Sequence, residues 1–228
     1  MQKEKTVFRG ALLRALPIMC SYLFISVAYG MSMQANGFPW YIAALISAFV
    51  YTGAYQFVLI TFLALGTPLV TVALTAFLMN SRQSFYSLSF LRDFNAMGRR
   101  RLYMIHSMTD ETFAVNCTLA LPQKEKEDTM FFLAVLSQLS WVVGTVLGGA
   151  LGALIPVTLE GIDFCMTAMF TVIFMEQWKG TKDHMPALCG LALGTLALLL
   201  FGAGSFMLPA LLAVSAVLVV TQRREMRA

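Results

Sequence analysis

Read from its N-terminus, the chain sets long apolar stretches against short polar punctuation. Most stretches approach the roughly 20 residues that a helix needs to cross a hydrocarbon core about 30 Å thick. The first runs from about Gly10 to Met31, with Pro17 predicted to kink it. "NGFPW" at 36–40 then reads as a turn, with Pro39 suited to a first helical position and Trp40 and Tyr41 to a membrane interface. A second segment, Pro39 to Leu65, is interrupted by "YTGAYQF", and a third, opening at Thr67 and Pro68, passes through "MNSRQSFYS". The fourth, Leu102 to Leu121, contains "HSMTDETFAV". Four cleaner segments follow: Met130 to Ile155, Phe164 to Trp178, Pro186 to Phe201 and Phe206 to Thr221.

The charges between segments constrain how they cross, because Lys and Arg next to spans mark the cytoplasmic side. Counting back from the C-terminus, "QRREMR" is inside, Gly202 to Ser205 outside, "KGTKDH" inside, the turn with Glu160 and Asp163 outside, and "PQKEKEDT" inside. The basic N-terminus and the loop from Arg92 to Arg101 also read as inside. The second and third segments then supply one net crossing between them, and the fourth supplies none. The three segments that break the count are those holding "TGAYQ", "NSRQ" and "TDET", so some of them are expected to be broken or re-entrant. Irregular backbone and charge are tolerated at membrane depth only where protein or a wet cavity satisfies them, a device transporters use to build substrate sites.

Composition agrees. Hydrophobic residues make up 58% of the 228, charged residues only 12%, and the mean hydropathy is +0.73, which excludes an ordinary water-soluble domain. The expected fold is all-α: a polytopic membrane bundle of about 6–8 segments forming one integral membrane domain over residues 1–228. The net charge of +4 sits in clusters beside apolar segments, where it orients a membrane protein, and does not point to nucleic acid. The N-terminal Lys3, Lys5, Arg9 and Arg14 precede a run too long for a signal core, so an uncleaved first helix is expected. Cys20, Cys117, Cys165 and Cys189 lack paired spacing and read as small apolar filler.

An acidic or basic residue at a helix centre costs roughly 2.5–3.5 kcal/mol on insertion scales, so the few within these segments are functional candidates. Asp110 and Glu111 are adjacent and point about 100° apart on a helix, so one can line a cavity while the other acts locally. Ser107 and Asp110 also match the spacing of a capping box, as a half-helix starting in mid-membrane would require. His106 precedes Asp110 by four residues and shares its face if the helix is continuous, which admits a proton relay. Two ligands make no metal site, and no metal or other cofactor is expected. Arg82 either snorkels to the interface or faces inward to pair with Asp110, Glu111 or an anionic ligand, among Asn80, Gln83, Ser84 and Tyr86. Gly53 permits a break, and Gln56 offers a donor and an acceptor. Such an inventory suits a zwitterion: a carboxylate for an ammonium, Arg82, Gln56 or a helix N-terminus for a carboxylate, and Tyr55 with Phe57 for an apolar side chain. The expected substrate site is therefore Gly53, Tyr55, Gln56, Asn80, Arg82, Tyr86, Asp110 and Glu111, with Asp110, Glu111 and His106 as proton-coupling groups. Gly144, Gly148 and Gly152, and again Gly190 and Gly194, recur every four residues and predict close helix packing against this chain or another.

These residues carry a resemblance. "ALPIMCSYLFISVAYG", "FVYTGAYQFV", "LMNSRQSFYSLS", "MTDETFAV" and "SQLSWVVGTVLGGALG" leading into "GIDF" occur in an order similar to that of the AzlC family of bacterial branched-chain amino-acid permeases, over about Gly10 to Trp178. Tyr55 and Ser81 depart from it, standing where the family more usually has a small residue and Leu. The resemblance implies export of branched-chain amino acids, and in some members methionine, across the bacterial inner membrane, together with a small hydrophobic AzlD-type subunit. Three competing functions remain. An enzyme would need a nucleophile and base or a metal set, which the sequence lacks, so no enzymatic activity is expected. A scaffold subunit would leave the permeation path to its partner, and a passive channel would need rings of polar groups; a permease for another small organic solute is the alternative within transport.

Overall fold

The computed structural model describes residues 2–154, 171, 174–175, 178–179, 182–202 and 206–225; the side chains of 2–5, 82, 85, 207, 208, 211, 219, 220 and 222–225 lie outside the description. All regular elements among the described residues are helices. They are α1 (Gln2–Ala35), α2 (Trp40–Phe49), α3 (Gly53–Leu65), α4 (Leu69–Ser89), α5 (Leu91–Ala96), α6 (Arg100–His106), α7 (Asp110–Cys117), α8 (Gln123–Leu154), α9 (Met185–Phe201) and α10 (Met207–Glu225). Within α1 and α8, the stretches Thr6–Ala35 and Gln123–Leu154 are long and apolar enough to cross a membrane, and α2, α3 and α9 are shorter apolar helices. The predicted segment Phe164 to Trp178 and the turn with Glu160 and Asp163 lie largely outside the described residues.

Two compact units are present. One comprises Met1–Leu65 and Asn80–Met166, the other Gly66–Met79 and Thr167–Ala228. The second contains α9 packed on α10; Pro186 sits in the first turn of α9, and Gly202, at φ 71°, closes it. The first is built on α1 and α8. Phe8 meets Phe132, Tyr22 meets Trp141, and Gly144, Gly148 and Gly152 lie in turn against Leu23, Val27 and Met31. The contacts advance in the same direction along both helices, so α1 and α8 run parallel. Glycine makes this possible, since a Cβ on Gly148 would land on the Val27 carbonyl and one on Gly30 on the Thr145 carbonyl. The predicted glycine face therefore has its partner in this chain.

The parallel arrangement puts the N-terminus and the start of α8 at one end, as the charge pattern requires. At that same end Asp93 of α5 accepts from Lys126 of α8 at 2.8 Å, and Arg100 of α6 pairs with Asp128 at 2.7 Å. Below them Phe90, Phe94, Met104, Met108, Leu119, Met130 and Ala134 form a core.

Two helical hairpins enter this frame from opposite ends. α2 starts with Trp40 over Gly149, runs back along α8 to place Ser47 on Thr145, and stops where Tyr51 meets Tyr22. α3 then reverses, its Phe57 packing on Tyr29 two turns farther along α1. The other hairpin starts at Arg100 beside Asp128, reaches Tyr22 and the level of Trp141 with Thr109, and returns to Met130 by Leu119. Asp128 and Trp141 are about 20 Å apart along α8, by helical rise. Both hairpins thus turn near the middle of α8.

Two of the three suspect segments are interrupted, in line with the expectation that some would be, while α4 is an unbroken helix through "MNSRQSFYS", because polar side chains alone do not break a helix. The sequence reading needs three corrections. His106 and Asp110 do not share a continuous helical face, since α6 ends at His106 and α7 begins at Asp110. The cap of α7 is Thr109 with Thr112, not Ser107 with Asp110. Pro39 is the N-cap residue of α2 and not its first helical residue, because its ψ of 151° is still extended.

Candidate functional site

Each hairpin tip is a short non-helical link whose polar backbone must be satisfied inside the protein. At 107–109 the capping box does this: the Thr109 hydroxyl accepts from the Thr112 N–H at 3.3 Å, and the Thr112 hydroxyl accepts from the Thr109 N–H at 2.9 Å. Asp110 and Glu111 occupy the first turn of α7, where carboxylates favour the positive end of the helix. Thr112 and Asn116 also direct polar groups at the Met108 sulfur, fastening the tip to α7.

The other tip is tighter. The α2 helix ends at Phe49 with Val50 as its C-cap, and Tyr51 takes a left-handed backbone with φ 41° while 3% exposed. Non-glycine residues seldom adopt this conformation, which costs about 1–2 kcal/mol, so packing must impose it. The next residues restart the chain as α3, with the Gln56 N–H bonded to the Thr52 carbonyl at 3.1 Å. Gly53 admits the Trp141 ring, which would stand 3.4 Å from a Cβ there.

Buried hydrogen bonds tie this tip to α8. The Trp141 indole N–H donates to the Gln56 carbonyl oxygen at 2.8 Å, the Gln56 amide donates to Ser47 at 3.4 Å, and Ser47 meets Thr145 at 2.8 Å. Gln138, one turn nearer the start of α8, donates to the Ala48 carbonyl at 2.9 Å and accepts from the Tyr103 hydroxyl at 2.7 Å. Gln138 is therefore bonded to both hairpins.

Tyr22 of α1 stands between the tips. Its hydroxyl lies 2.8 Å from the Thr109 hydroxyl and 2.5 Å from Glu111 Oε2, with the carboxylate accepting. The ring meets Trp141 edge-on at 5.2 Å and Tyr51 at 6.5 Å. Glu111 is exposed while Tyr22 beneath it is buried. The result is a reachable carboxylate on a sealed aromatic floor, where charge-assisted hydrogen bonds are strong. The Tyr51 hydroxyl approaches that of Tyr22, yet it is buried and completes no hydrogen bond of standard geometry among the described residues.

Of the residues expected from sequence, Gly53, Gln56 and Glu111 meet at this centre. Tyr55 is buried on α3 and Asp110 is half-buried beside Glu111. His106 is exposed at the end of α6 and is not joined to this network. Asn80 is half-buried on α4, and Tyr86 stacks on Phe113 of α7 at 4.5 Å. The Arg82 side chain lies outside the described part. Tyr22, Tyr51, Trp141 and Gln138 were missed. Their spacing carries no motif, and single aromatic or amide residues in apolar helices read as packing; only the unusual backbone of Tyr51, invisible in sequence, marks the place.

Comparison with known proteins places the chain. The family model described as AzlC protein matches residues 17–155. The Bacillus subtilis "Branched-chain amino acid transport protein AzlC" is 39% identical over 95% of this chain and 85% of its own. An "Uncharacterized membrane protein" of Helicobacter pylori strain J99 is 35% identical over 95% and 96%, and the Escherichia coli "Inner membrane protein YgaZ" 28% over 77% and 73%. No solved structure gives a significant match. With helices apolar and long enough to span a bilayer and relatives named as membrane and transport proteins, this chain is a helical membrane protein and belongs to the AzlC family.

Proposed function

We propose that this protein is a bacterial inner-membrane transporter that exports branched-chain amino acids, and methionine beside them, with a small AzlD-type membrane subunit as partner. The relative named for branched-chain amino-acid transport supports the substrate class. Geometry supports the mechanism, above all one observation: two oppositely directed hairpins turn against the same α1–α8 pair and bring an accessible carboxylate, Glu111, to that meeting point. In a bilayer both are re-entrant, and the charge count leaves the one crossing between α1 and α8 to α4. The termini then lie in the cytoplasm.

At this centre Glu111 receives the substrate ammonium. The N-terminus of α3, which opens at Gly53, points a positive dipole end at the substrate carboxylate. Tyr55 and Asp110 border the site, with Asn80, Arg82 and Tyr86 contributed from α4. Proton coupling falls to Glu111, which can exchange a proton for the ammonium, with Asp110 beside it and His106 exposed where α6 ends next to the tip. Transport requires no cofactor and no covalent step.

Counterflow of labelled leucine, valine and methionine in liposomes, with and without a co-expressed small subunit and across a pH gradient, tests this reading. The expected result is leucine and valine counterflow that Glu111→Gln abolishes. Equal flux in that variant, or none from the wild-type complex, defeats the proposal.

A further inference from the structure

The Tyr51 hydroxyl is the feature that the packing of the protein does not explain. Its backbone is left-handed, it is 3% exposed, and its hydroxyl, which that of Tyr22 approaches, completes no hydrogen bond of standard geometry among the described residues. A buried polar atom without a partner is costly, and a strained backbone beneath it persists only when the surroundings enforce it. The neighbours are specific: Tyr22 and its bonded carboxylate Glu111 lie within electrostatic reach, and Trp141 packs on the other edge of Tyr22. Such a corner offers two phenol oxygens, one anionic group and aromatic surface, and among the described residues no positive charge is bonded into it. That is a receptor for a compact cation with several N–H donors.

We infer that the Tyr51 hydroxyl is a binding group for the transported amine, accepting one N–H of a primary ammonium whose charge rests on Glu111. Glu111 has acceptor capacity beyond its bond from Tyr22, because a carboxylate takes about four hydrogen bonds. Tyr22 is a positioning residue: its hydroxyl holds one oxygen of the Glu111 carboxylate and leaves the other to the amine. The two tips contribute one acceptor each, so an amine is fully bound only when both hairpins are close. This inference rests on the amino-acid reading above and specifies which end of the substrate the site selects.

The test uses the full chain in liposomes and, for binding, the purified protein in detergent. Leucine is compared with its α-hydroxy analogue, 2-hydroxy-4-methylpentanoate, and with N,N-dimethylleucine. Wild type should be stabilised against heating by leucine and at least tenfold less sensitive to either analogue, as loss of a hydrogen bond to a charged group implies. Tyr51→Phe should raise the leucine KM about tenfold or more with little change in maximal rate, and should narrow the preference over N,N-dimethylleucine. An unchanged KM and preference in a normally melting Tyr51→Phe protein overturns the inference while leaving amino-acid transport standing. If that variant does not fold, the wild-type arm decides: equal binding of the hydroxy analogue overturns the ammonium site. Stabilisation by sodium chloride in place of leucine, absent with choline chloride, assigns the corner to an inorganic cation and also overturns it. Failure of wild type to move or bind leucine sinks this inference together with the proposed function.

Discussion

Asp110 and Glu111 are chemically near-identical neighbours, yet only Glu111 is bonded to the buried Tyr22. The 100° between successive helical residues is enough to separate their fates. Glu111→Gln keeps an acceptor for Tyr22 and removes only the charge, so it should fold and lose leucine flux. Asp110→Asn should retain most of it. Comparable loss in both variants, measured as initial counterflow rates, removes the distinction. Tyr22→Phe deletes the bonds to Thr109 and Glu111 together; the expected cost is about 1.5–3 kcal/mol, read as a lower melting temperature in detergent. These contrasts could not be drawn from sequence. "TDET" announces a helix start with two acids, but which acid is held by α1 depends on a tyrosine 89 residues earlier in the chain.

At the scale of helices, the glycines of α8 and α9 separate by environment. Gly148 faces the α1 backbone, while Gly190 in α9 has no described atom within 4 Å of a would-be Cβ. Gly148→Ala should force α1 and α8 apart and destabilise by about 1–3 kcal/mol. Gly190→Ala should be neutral or stabilising by up to about 1 kcal/mol through helix propensity. Thermal melts of the two single variants check both signs; equal shifts contradict the packing described. The α7 cap behaves similarly. Thr109→Ala should cost roughly 1 kcal/mol for the lost cap, and Thr109→Ser should restore it. The two glycine repeats look alike in sequence because spacing defines a face but not what lies against it.

Over the whole molecule, charge acts outside the apolar segments. Burial by itself would raise the Asp93 pKa, but hydrogen bonds from Lys126 and Gln123, with the charges of Lys126 and Arg92, bring it below its ordinary value of 3.8. A carboxylate depressed in the folded state stabilises above its ordinary pKa, and that stability is lost as pH falls through the folded value. Lys126→Met should therefore lower the melting temperature at neutral pH, and the gap to wild type should close as pH drops through and below 3.8. A gap that persists in acid would mean that Lys126 acts through its stem against Phe90, 5.6 Å from its ammonium, and not through charge.

Charge placement alone required the N-terminus and the loop before α8 to share a side, which demands that α1 and α8 run parallel, and they do. Apolar length and the interruptions at "YTGAYQF" and "TDET" were equally legible, because spans and helix starts are local properties of the chain. Which of the three suspect segments are interrupted was not legible, because polar residues in an apolar helix signal a break only when backbone bonding also fails, and in α4, through "NSRQ", it does not. The amino-acid order thus determined an all-helical membrane protein, the common end of its N-terminus and the start of α8, and the two acids that open α7. Tertiary structure decided that two hairpins turn against one pair of parallel helices, that Tyr22 selects Glu111, and that Tyr51 sits strained beside them. Hydropathy and charge act through each residue's own contact with lipid or water, whereas a meeting of tips depends on residues distant in sequence, which no local pattern encodes.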